Sequence, residues 1–188
     1  MSVAGVLLAA GGGRRFGMPK ALVRHRGRLF VEHAAGVLHE GGCAPVVVVL
    51  GAAADEVRGT AELPGSSLVD NPEWTTGMGS SLRVGLAALG DSDAVAALVL
   101  PVDTPGVTAA AVRRFVDLAA PDALARATYH GRPGHPVLIG RDRWADVAES
   151  ARGDAGARTY LAAHHPLDVP CEDAAAGEDV DRPEDLPG

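Results

Sequence analysis

Several residue types are almost absent from this chain of 188 residues. It has no glutamine, and it has a single lysine, Lys20, and a single asparagine, Asn71. Arginine, alanine, glycine, proline and valine are used throughout, which indicates a coding bias that replaces lysine and asparagine wherever the chain tolerates it. Lysine carries its charge on one nitrogen at the end of a flexible chain, whereas arginine carries it on a rigid, planar guanidinium. A lysine that is retained despite this bias is therefore expected at a position where arginine cannot replace it. Composition alone therefore makes Lys20 a candidate site residue.

Cysteine, positive charge and long apolar runs are also scarce. Cys43 and Cys171 are far apart and show no C-x-x-C spacing, so we expect two buried or unreactive thiols rather than a zinc site or a disulfide framework. The formal net charge of −7 argues against the basic face of a nucleic-acid binder. No apolar run reaches the roughly 18 residues that span a bilayer. No basic segment precedes the apolar start of the chain. These absences predict a cytoplasmic protein with no nucleic-acid or membrane partner.

Apolar runs alternate with amphipathic segments along most of the chain. Hydrophobic residues make up 47% of it, and its length fits one packed domain over residues 1–188. The runs predict strands over 3–9, 46–50, 67–69, 95–100, 125–129 and 136–139. We expect helices after Phe30, over 53–62, around 82–89, after the N-cap Thr108 and over 153–164. This alternation predicts a three-layer α/β fold with a parallel central sheet.

A glycine-rich loop with three cations follows the first predicted strand. It runs from Ala10 to Lys20 and includes Arg14 and Arg15. Unobstructed backbone N–H groups and positive charge together suit a polyphosphate. The loop is not a Walker A sequence, and it fits a dinucleotide fingerprint poorly because no acidic residue ends the next strand. A flexible turn is the alternative, which the arginines and the only lysine disfavour.

Polar side chains follow two other predicted strands, and ligands of open α/β sheets bind beyond the carboxyl ends of the strands. Asp103 lies between Pro101 and Pro105, which hold it rigidly. Mg²⁺ takes one or two carboxylates plus substrate phosphates, so we expect a second carboxylate from Asp179 or Asp181. A turn or a helix cap remains the alternative for Asp103.

Three further residues are weaker candidates. Asn71 follows a predicted strand and has the donor and acceptor groups to contact a base or ribose. Ser81 lies near the start of the next helix, where its hydroxyl suits either a base contact or a helix cap. A turn cap is the alternative for Asn71. His135 precedes a strand, and a lone histidine is more often structural than catalytic.

The ordered motifs of the chain resemble those of the molybdenum-cofactor nucleotidyltransferases. The segment 8–20 reads L-A-A-G-G-G-R-R-F-G-M-P-K, close to the family signature L-A-A-G-x-[GS]-x-R-[MF]-G-x-P-K. Five more segments agree in order: 71–82, 101–105, 131–137, 153–158 and 179–186. The resemblance spans nearly the whole chain.

The resemblance implies a Rossmann-like nucleotidyltransferase fold, with Arg15, Lys20 and Asp103 as catalytic residues. It implies that Asp103 and Asp181 hold Mg²⁺, the only cofactor expected. The implied nucleotide contacts are Leu8, Ala9, Ala10, Gly11, Gly12, Gly13, Arg14, Lys20, Asn71, Gly79, Ser81 and Asp103. The implied acceptor contacts are His135, Asp154 and Arg158. The implied reaction is attack of an acceptor phosphate on the α-phosphorus with release of pyrophosphate, and a molybdoenzyme or maturation factor is an implied partner.

The base and the acceptor are less firmly implied. Within the family, Leu-Ala-Ala-Gly and a later G-x-x-x-S-L segment accompany CTP, so Ala10, Gly79 and Ser81 favour CTP and a molybdopterin acceptor. Arg182 stands where the family has threonine, and Arg14 adds a cation. These departures leave open another base or a sugar-phosphate or polyol-phosphate acceptor. Two other classes also stay open: an NADPH-dependent oxidoreductase with arginines on the 2′-phosphate, and a non-catalytic nucleotide-binding protein.

Overall fold

Continuous apolar runs form a seven-stranded sheet in the computed structural model, which describes residues 1–188. The strands of this sheet are β1 (Ser2–Ala9), β4 (Val46–Leu50), β5 (Ser66–Asp70), β6 (Ala94–Pro101), β7 (Leu124–Tyr129), β8 (Arg132–Gly140) and β9 (Leu167–Pro170). Their spatial order is β5-β4-β1-β6-β8-β7-β9. A separate two-stranded hairpin consists of β2 (Arg24–His25) and β3 (Arg28–Leu29).

Most neighbouring strands run parallel, as the sequence predicts. The four strands β5, β4, β1 and β6 are parallel neighbours, and β9 runs parallel to β7. Only β8 is antiparallel, to β6 on one side and β7 on the other. The two-residue turn His130–Gly131 joins β7 to β8, and so short a connection joins only antiparallel strands. The strand β8 begins at Arg132, four residues before the strand that the sequence predicts over 136–139.

Helices cover both faces of the sheet and complete the three-layer, Rossmann-like fold. They are α1 (Phe30–Glu40), α2 (Ala54–Thr60), α3 (Met78–Ala88), α4 (Ala109–Val116), α5 (Trp144–Ser150) and α6 (Arg158–His164). Buried side chains of α1, α2 and α4 pack on one face, and those of α3, α5 and α6 on the other. Successive side chains of a strand point to opposite faces, so Leu7 joins the first core and Leu8 the second.

Two helix predictions have different outcomes. Thr108 caps α4 as expected, because its hydroxyl accepts a hydrogen bond from the backbone N–H of Ala111 at 3.3 Å. The expected continuous helix over 153–164 is wrong. A short 3₁₀ turn occupies Gly153–Ala155, Gly156 adopts φ 53°, and α6 begins only at Arg158. A residue with positive φ cannot continue a right-handed helix. No helix is long and apolar enough to cross a membrane.

The register of the central strands determines which loops meet. Leu8 of β1 lies opposite Pro101 of β6, and Leu50 of β4 lies opposite Asp70 of β5. The loops that follow β1, β5 and β6 therefore leave the sheet at the same edge. This edge is where the sequence predicts a ligand site.

Candidate functional site

A cavity of about 410 Å³ opens at the carboxyl edge of the parallel strands. The predicted site residues that line it are Leu8, Ala10, Gly11, Gly12, Gly13, Arg14, Arg15, Lys20, Ser81, Asp103, Asp154 and Asp181. They come from loops distant in sequence, which the parallel register brings together. Five predicted site residues lie outside the lining: Ala9, Asn71, Gly79, His135 and Arg158.

The glycine-rich loop presents its backbone to this cavity. The N–H groups from Gly11 to Arg15 have no hydrogen-bond partner within the protein. Gly13 adopts φ +62°, and a Cβ there would lie 1.8 Å from the carbonyl oxygen of Met18, so only glycine allows this turn. The loop thus offers unpaired donors next to the guanidinium groups of Arg14 and Arg15, an arrangement that binds phosphate oxygens.

Lys20 lies between two carboxylates at the floor of the cavity. Its ammonium donates hydrogen bonds to Asp103 Oδ2 at 2.8 Å and to Asp181 Oδ1 at 2.9 Å. The Lys20 side chain is only 14% exposed. Burial alone would lower the pKa of Lys20, but the two hydrogen bonds and the two negative charges raise it above its usual value. The lysine is therefore firmly cationic, and the ion pairs connect β6 to the C-terminal segment.

Arg15 and Asp179 extend this charge cluster. The Arg15 guanidinium lies 3.0 Å from Asp181 Oδ2. The hydrogen bond from Lys20 lowers the pKa of Asp181, and the positive charges of Lys20 and Arg15 lower it further. Desolvation acts in the opposite direction but does not cancel these effects. Partial burial and the negative charges of Asp103 and Asp181 raise the pKa of Asp179 to about 6. Negative charge is thus concentrated at one end of the cavity.

These carboxylates fit a divalent cation. Oxygens of Asp103 and Asp181 already converge on a single positive centre, the Lys20 ammonium. No cluster of three or more His, Cys, Asp or Glu side chains is arranged to hold a metal by itself. Mg²⁺ needs no such cage, because it binds one or two carboxylates together with substrate phosphates. The donor set therefore suits a cation that arrives with a phosphorylated ligand.

Asn71 lies beneath the cavity instead of lining it, and it positions two serines. Its side chain is buried, and its amide donates to Ser80 Oγ at 2.8 Å and to Ser81 Oγ at 2.9 Å. Its carbonyl oxygen accepts from the backbone N–H of Glu73 at 3.0 Å. Ser80 donates to backbone carbonyls, whereas the Ser81 hydroxyl has no acceptor within the protein. Because Ser81 Oγ already accepts from Asn71, its hydroxyl proton remains free to be donated at the cavity wall.

Other predicted residues lie outside the lining for clear reasons. The Ala9 side chain packs in the core under the sheet. Gly79 lies against backbone, since a Cβ there would be 2.8 Å from the amide nitrogen of Arg152. His135 lies on β8, where burial lowers its pKa to about 4. The positive charge of Arg158 also lowers this pKa, whereas the negative charge of Asp103 raises it. Arg158 is exposed at the start of α6. Neither His135 nor Arg158 forms part of the cavity wall, although the charges of Asp103 and Arg158 both act on His135.

Trp74 and Met78 line the cavity although sequence reasoning did not select them. The Trp74 ring lies 3.2 Å from the Cβ position of Gly12, so it packs against the glycine-rich loop. The one signal of Trp74 and Met78 in the sequence is that both lie in the segment 71–82, which also holds Asn71 and Ser81. An aromatic ring beside a glycine-rich loop offers a face on which a base can stack.

The two cysteines take no part in this cavity. Cys43 is 2% exposed and Cys171 is 0% exposed, and both thiols are free. Burial raises the pKa of Cys43 to about 12. These positions confirm the expectation of two buried thiols.

Comparison with known proteins identifies the family of this chain. A family model described as MobA-like NTP transferase domain matches residues 5–168. A protein named nicotine blue oxidoreductase from Paenarthrobacter nicotinovorans is 41% identical over 194 residues, which cover 98% of this chain and 94% of that protein. A probable molybdenum cofactor guanylyltransferase from Bacillus cytotoxicus is 28% identical over 114 residues, covering 61% of this chain and 55% of the relative.

Solved structures show the same architecture over the whole chain. Rv0371c from Mycobacterium tuberculosis H37Rv is 28% identical, with a TM-score of 0.81 over 98% of this chain and 95% of the other. A manganese complex of Rv0371c aligns with a TM-score of 0.77 at 26% identity, over 90% of this chain and 88% of the other. The fold, the order of the motifs and the matched residues 5–168 lead to one conclusion: the chain belongs to the family of MobA-like NTP transferases.

Proposed function

We propose that this protein is a Mg²⁺-dependent nucleotidyltransferase that transfers CMP from CTP to the phosphate of a molybdopterin-type acceptor. An acceptor phosphate oxygen forms a bond to the α-phosphorus, the bond from the α-phosphorus to the bridging oxygen of the β-phosphate breaks, and pyrophosphate leaves. The observation that carries the proposal is the Lys20 ammonium held between Asp103 and Asp181 beside a loop of unpaired N–H groups.

Each part of this arrangement has a role in phosphoryl chemistry. The N–H groups from Gly11 to Arg15 and the two guanidinium groups hold the triphosphate. Lys20 neutralises charge that develops around the α-phosphorus, a preorganised electrostatic contribution. Asp103 and Asp181 would hold Mg²⁺, which would supply further neutralisation of the phosphate oxygens. The manganese in the complex of Rv0371c supports a divalent cation in this fold.

The preference for a pyrimidine rests on Ser81. Because Asn71 donates to Ser81 Oγ, the free hydroxyl proton is available to an acceptor in the cavity. Cytosine presents two acceptors, O2 and N3, whereas the same edge of guanine presents donors at N1 and N2 and a single acceptor, O6. The donor orientation of Ser81, together with the Leu-Ala-Ala-Gly motif, favours CTP over GTP. Trp74 provides a surface for stacking.

The acceptor binds next to the nucleotide in this proposal, near His135, Asp154 and Arg158. Asp154 lines the cavity, and Arg158 is an exposed cation whose charge acts on His135. The lowered pKa of His135 keeps its ring neutral at pH 7, so it can accept or donate a hydrogen bond without repelling a cation. A phosphate monoester on a polar organic group fits this set.

The direct test measures pyrophosphate release by the purified protein with Mg²⁺, molybdopterin and each of CTP, GTP, ATP and UTP. Release that requires molybdopterin and is fastest with CTP is the expected result. Equal release without the acceptor would contradict transfer to molybdopterin, and a preference for GTP would contradict the role of Ser81. If a sugar phosphate supports pyrophosphate release in place of molybdopterin, the protein is still a nucleotidyltransferase, but its acceptor is a sugar phosphate.

A second candidate, an NADPH-dependent oxidoreductase, is favoured by one observation: the relative that is 41% identical is named an oxidoreductase. Arg14 and Arg15 would then contact the 2′-phosphate of NADPH. Hydride transfer does not require a divalent cation held by Asp103 and Asp181. This candidate therefore predicts that Mg²⁺ does not change the affinity for NADPH. The two candidates separate on whether NADPH or CTP binds and whether Mg²⁺ alters that binding.

A further inference from the structure

A second cavity, of about 230 Å³, lies beside the hairpin formed by β2 and β3. We call it the hairpin cavity. Its polar lining comes from His25, Arg26, Arg28, His33 and Gly106. No aspartate or glutamate lines it, although the chain as a whole carries a net charge of −7. Two guanidinium groups and two imidazoles therefore face one small space whose wall contains no aspartate or glutamate side chain.

The two arginines of the hairpin cavity keep donors free. None of the ion pairs of the protein joins Arg26 or Arg28 to an aspartate or glutamate. Arg26 donates to the carbonyl oxygen of Gly188, and Arg28 makes a long contact of 3.4 Å with the carbonyl oxygen of Glu32. A guanidinium has five N–H donors, so most of them remain unused.

The nearest candidate counter-charge, Glu32, is engaged elsewhere. Its Oε2 accepts from the backbone N–H of Leu29 at 3.0 Å, and its Oε1 accepts from that of Glu62 at 2.9 Å. The carboxylate therefore stabilises the start of α1 instead of pairing with Arg28. Neither arginine therefore has an aspartate or glutamate side chain within ion-pair distance, although the charges of Glu32 and Arg28 still interact.

The remaining polar groups are held in place. His33 Nε2 lies 3.0 Å from the carbonyl oxygen of Pro105, so this nitrogen carries the proton and donates. The His25 ring lies edge-on to Phe30, with centroids 6.4 Å apart. The backbone N–H of Gly106 has no hydrogen-bond partner within the protein. Pro105 and Gly106 belong to the loop that carries Asp103, so one loop contributes to both cavities.

We propose that the hairpin cavity binds a phosphate group, at a site separate from the cavity beside the glycine-rich loop. Planar guanidinium groups and an unpaired backbone N–H match the tetrahedral oxygens of phosphate, and the volume admits a phosphate with a small substituent. This site does not depend on the proposed transferase activity, because none of its residues lines the cavity beside the glycine-rich loop.

The test uses the full-length protein labelled with ¹⁵N and inorganic phosphate as the probe, at constant ionic strength maintained with sodium chloride. The Gly106 amide and the Nε–H signals of Arg26 and Arg28 should shift together and saturate. The same shifts should persist in Lys20→Ala, which removes a cation of the other cavity only. Shifts confined to the amides from Gly11 to Arg15 would overturn the proposal.

A variant pair provides the matched control. Arg26→Asn combined with Arg28→Gln should weaken phosphate binding at Gly106 by at least about tenfold, whereas Arg24→Gln on the same hairpin should change it by less than about twofold. Asparagine suits position 26 because Arg26 adopts φ 51°. Phosphate binding to the double variant that is as tight as to the parent would contradict the proposal. If the double variant does not fold, the wild-type and Lys20→Ala titrations decide the question by themselves.

Discussion

At the scale of single residues, the position of Lys20 explains why one lysine survives in a chain that otherwise uses arginine. An ammonium can donate hydrogen bonds to two carboxylates, at 2.8 and 2.9 Å, from one nitrogen within a partly buried space. A planar guanidinium would spread its donors over several atoms and occupy more room. The sequence therefore pointed to Lys20 by its rarity, and the structure supplies the physical reason.

Replacing Lys20 or Asp103 by alanine should lower the rate of nucleotidyl transfer by at least about tenfold, because each removes charge from the reacting centre. Steady-state pyrophosphate release measures the effect, and circular dichroism checks that the variants are folded. Arg58→Gln is the matched control, since it breaks the exposed ion pair of 2.7 Å with Asp70 away from the cavity. A folded Asp103→Ala protein with unchanged turnover would remove the proposed metal ligand.

Asn71 was selected from sequence as a nucleotide contact, yet its amide is bonded to Ser80, Ser81 and Glu73. The sequence could not distinguish these roles, because the same amide groups suit a base edge and a buried hydroxyl pair. Trp74 and Met78 were missed for a related reason. An aromatic or apolar residue predicts burial wherever it occurs, and only the folded chain shows that these two face a cavity.

The hydrogen bonds of Asn71 predict a structural penalty. Asn71→Ala should lower the free energy of unfolding by about 1–3 kcal/mol, because the Glu73 N–H loses its acceptor and the serine hydroxyls lose their donor. Urea unfolding monitored by circular dichroism measures this change. Asp70→Ala, one residue earlier and exposed, should cost no more than about 1 kcal/mol. Equal stability of the two variants would show that the Asn71 network contributes little.

His135 predicts a pH dependence of stability. Its folded-state pKa of about 4 lies below the ordinary value of 6.5, so the unfolded chain binds more protons between these values. The contribution of the neutral ring is therefore present above pH 6.5 and is lost as the pH falls towards 4. Denaturant unfolding across this range should show a smaller decline for His135→Gln than for the parent. His130→Asn, at an exposed turn, should leave the decline unchanged, and an identical profile for His135→Gln would contradict the burial argument.

At the scale of elements, strands were predicted more reliably than connections. The apolar runs of β1, β4 and β6 are continuous because both faces of these strands are buried. The hairpin β2–β3 has only two residues per strand, and β9 is largely exposed, so neither carries a periodic signal. The break at Gly156 depends on a positive φ that glycine permits but does not require. The antiparallel direction of β8 follows from its short turn.

The packing of α3 on the sheet depends on a close approach at Gly85. A Cβ at this position would lie 2.5 Å from Val6 Cγ1. Gly85→Ala should therefore destabilise the protein by about 1–3 kcal/mol through overpacking. Gly59→Ala in α2, where a Cβ meets nothing within 4 Å, should be neutral or stabilise the protein by about 0.5–1 kcal/mol. Thermal unfolding of the two variants compares these effects, and a Gly85→Ala protein as stable as Gly59→Ala would contradict the close packing.

At the scale of the whole molecule, the fold determines where charge is concentrated and which thiols are accessible. The net charge is −7, yet no aspartate or glutamate lines the hairpin cavity, so its arginines attract anions locally. The cavity beside the glycine-rich loop contains both cations and carboxylates. Cys43 and Cys171 should both react with Ellman's reagent only after denaturation, because their side chains are buried. Cysteine reaction in the native protein at the rate seen in denaturant would show that these regions open.

The most direct test of the central claim is ligand-induced thermal stabilisation with CTP, GTP, ATP, UTP and NADPH, each with and without Mg²⁺. A ligand at 100 times its Kd adds about 2.7 kcal/mol to the free energy of unfolding, which is a clear shift in Tm. The account predicts the largest shift with CTP, dependent on Mg²⁺ and lost in Asp103→Ala. A shift with NADPH alone, unchanged by Mg²⁺ and by Asp103→Ala, would contradict the transferase and favour the oxidoreductase.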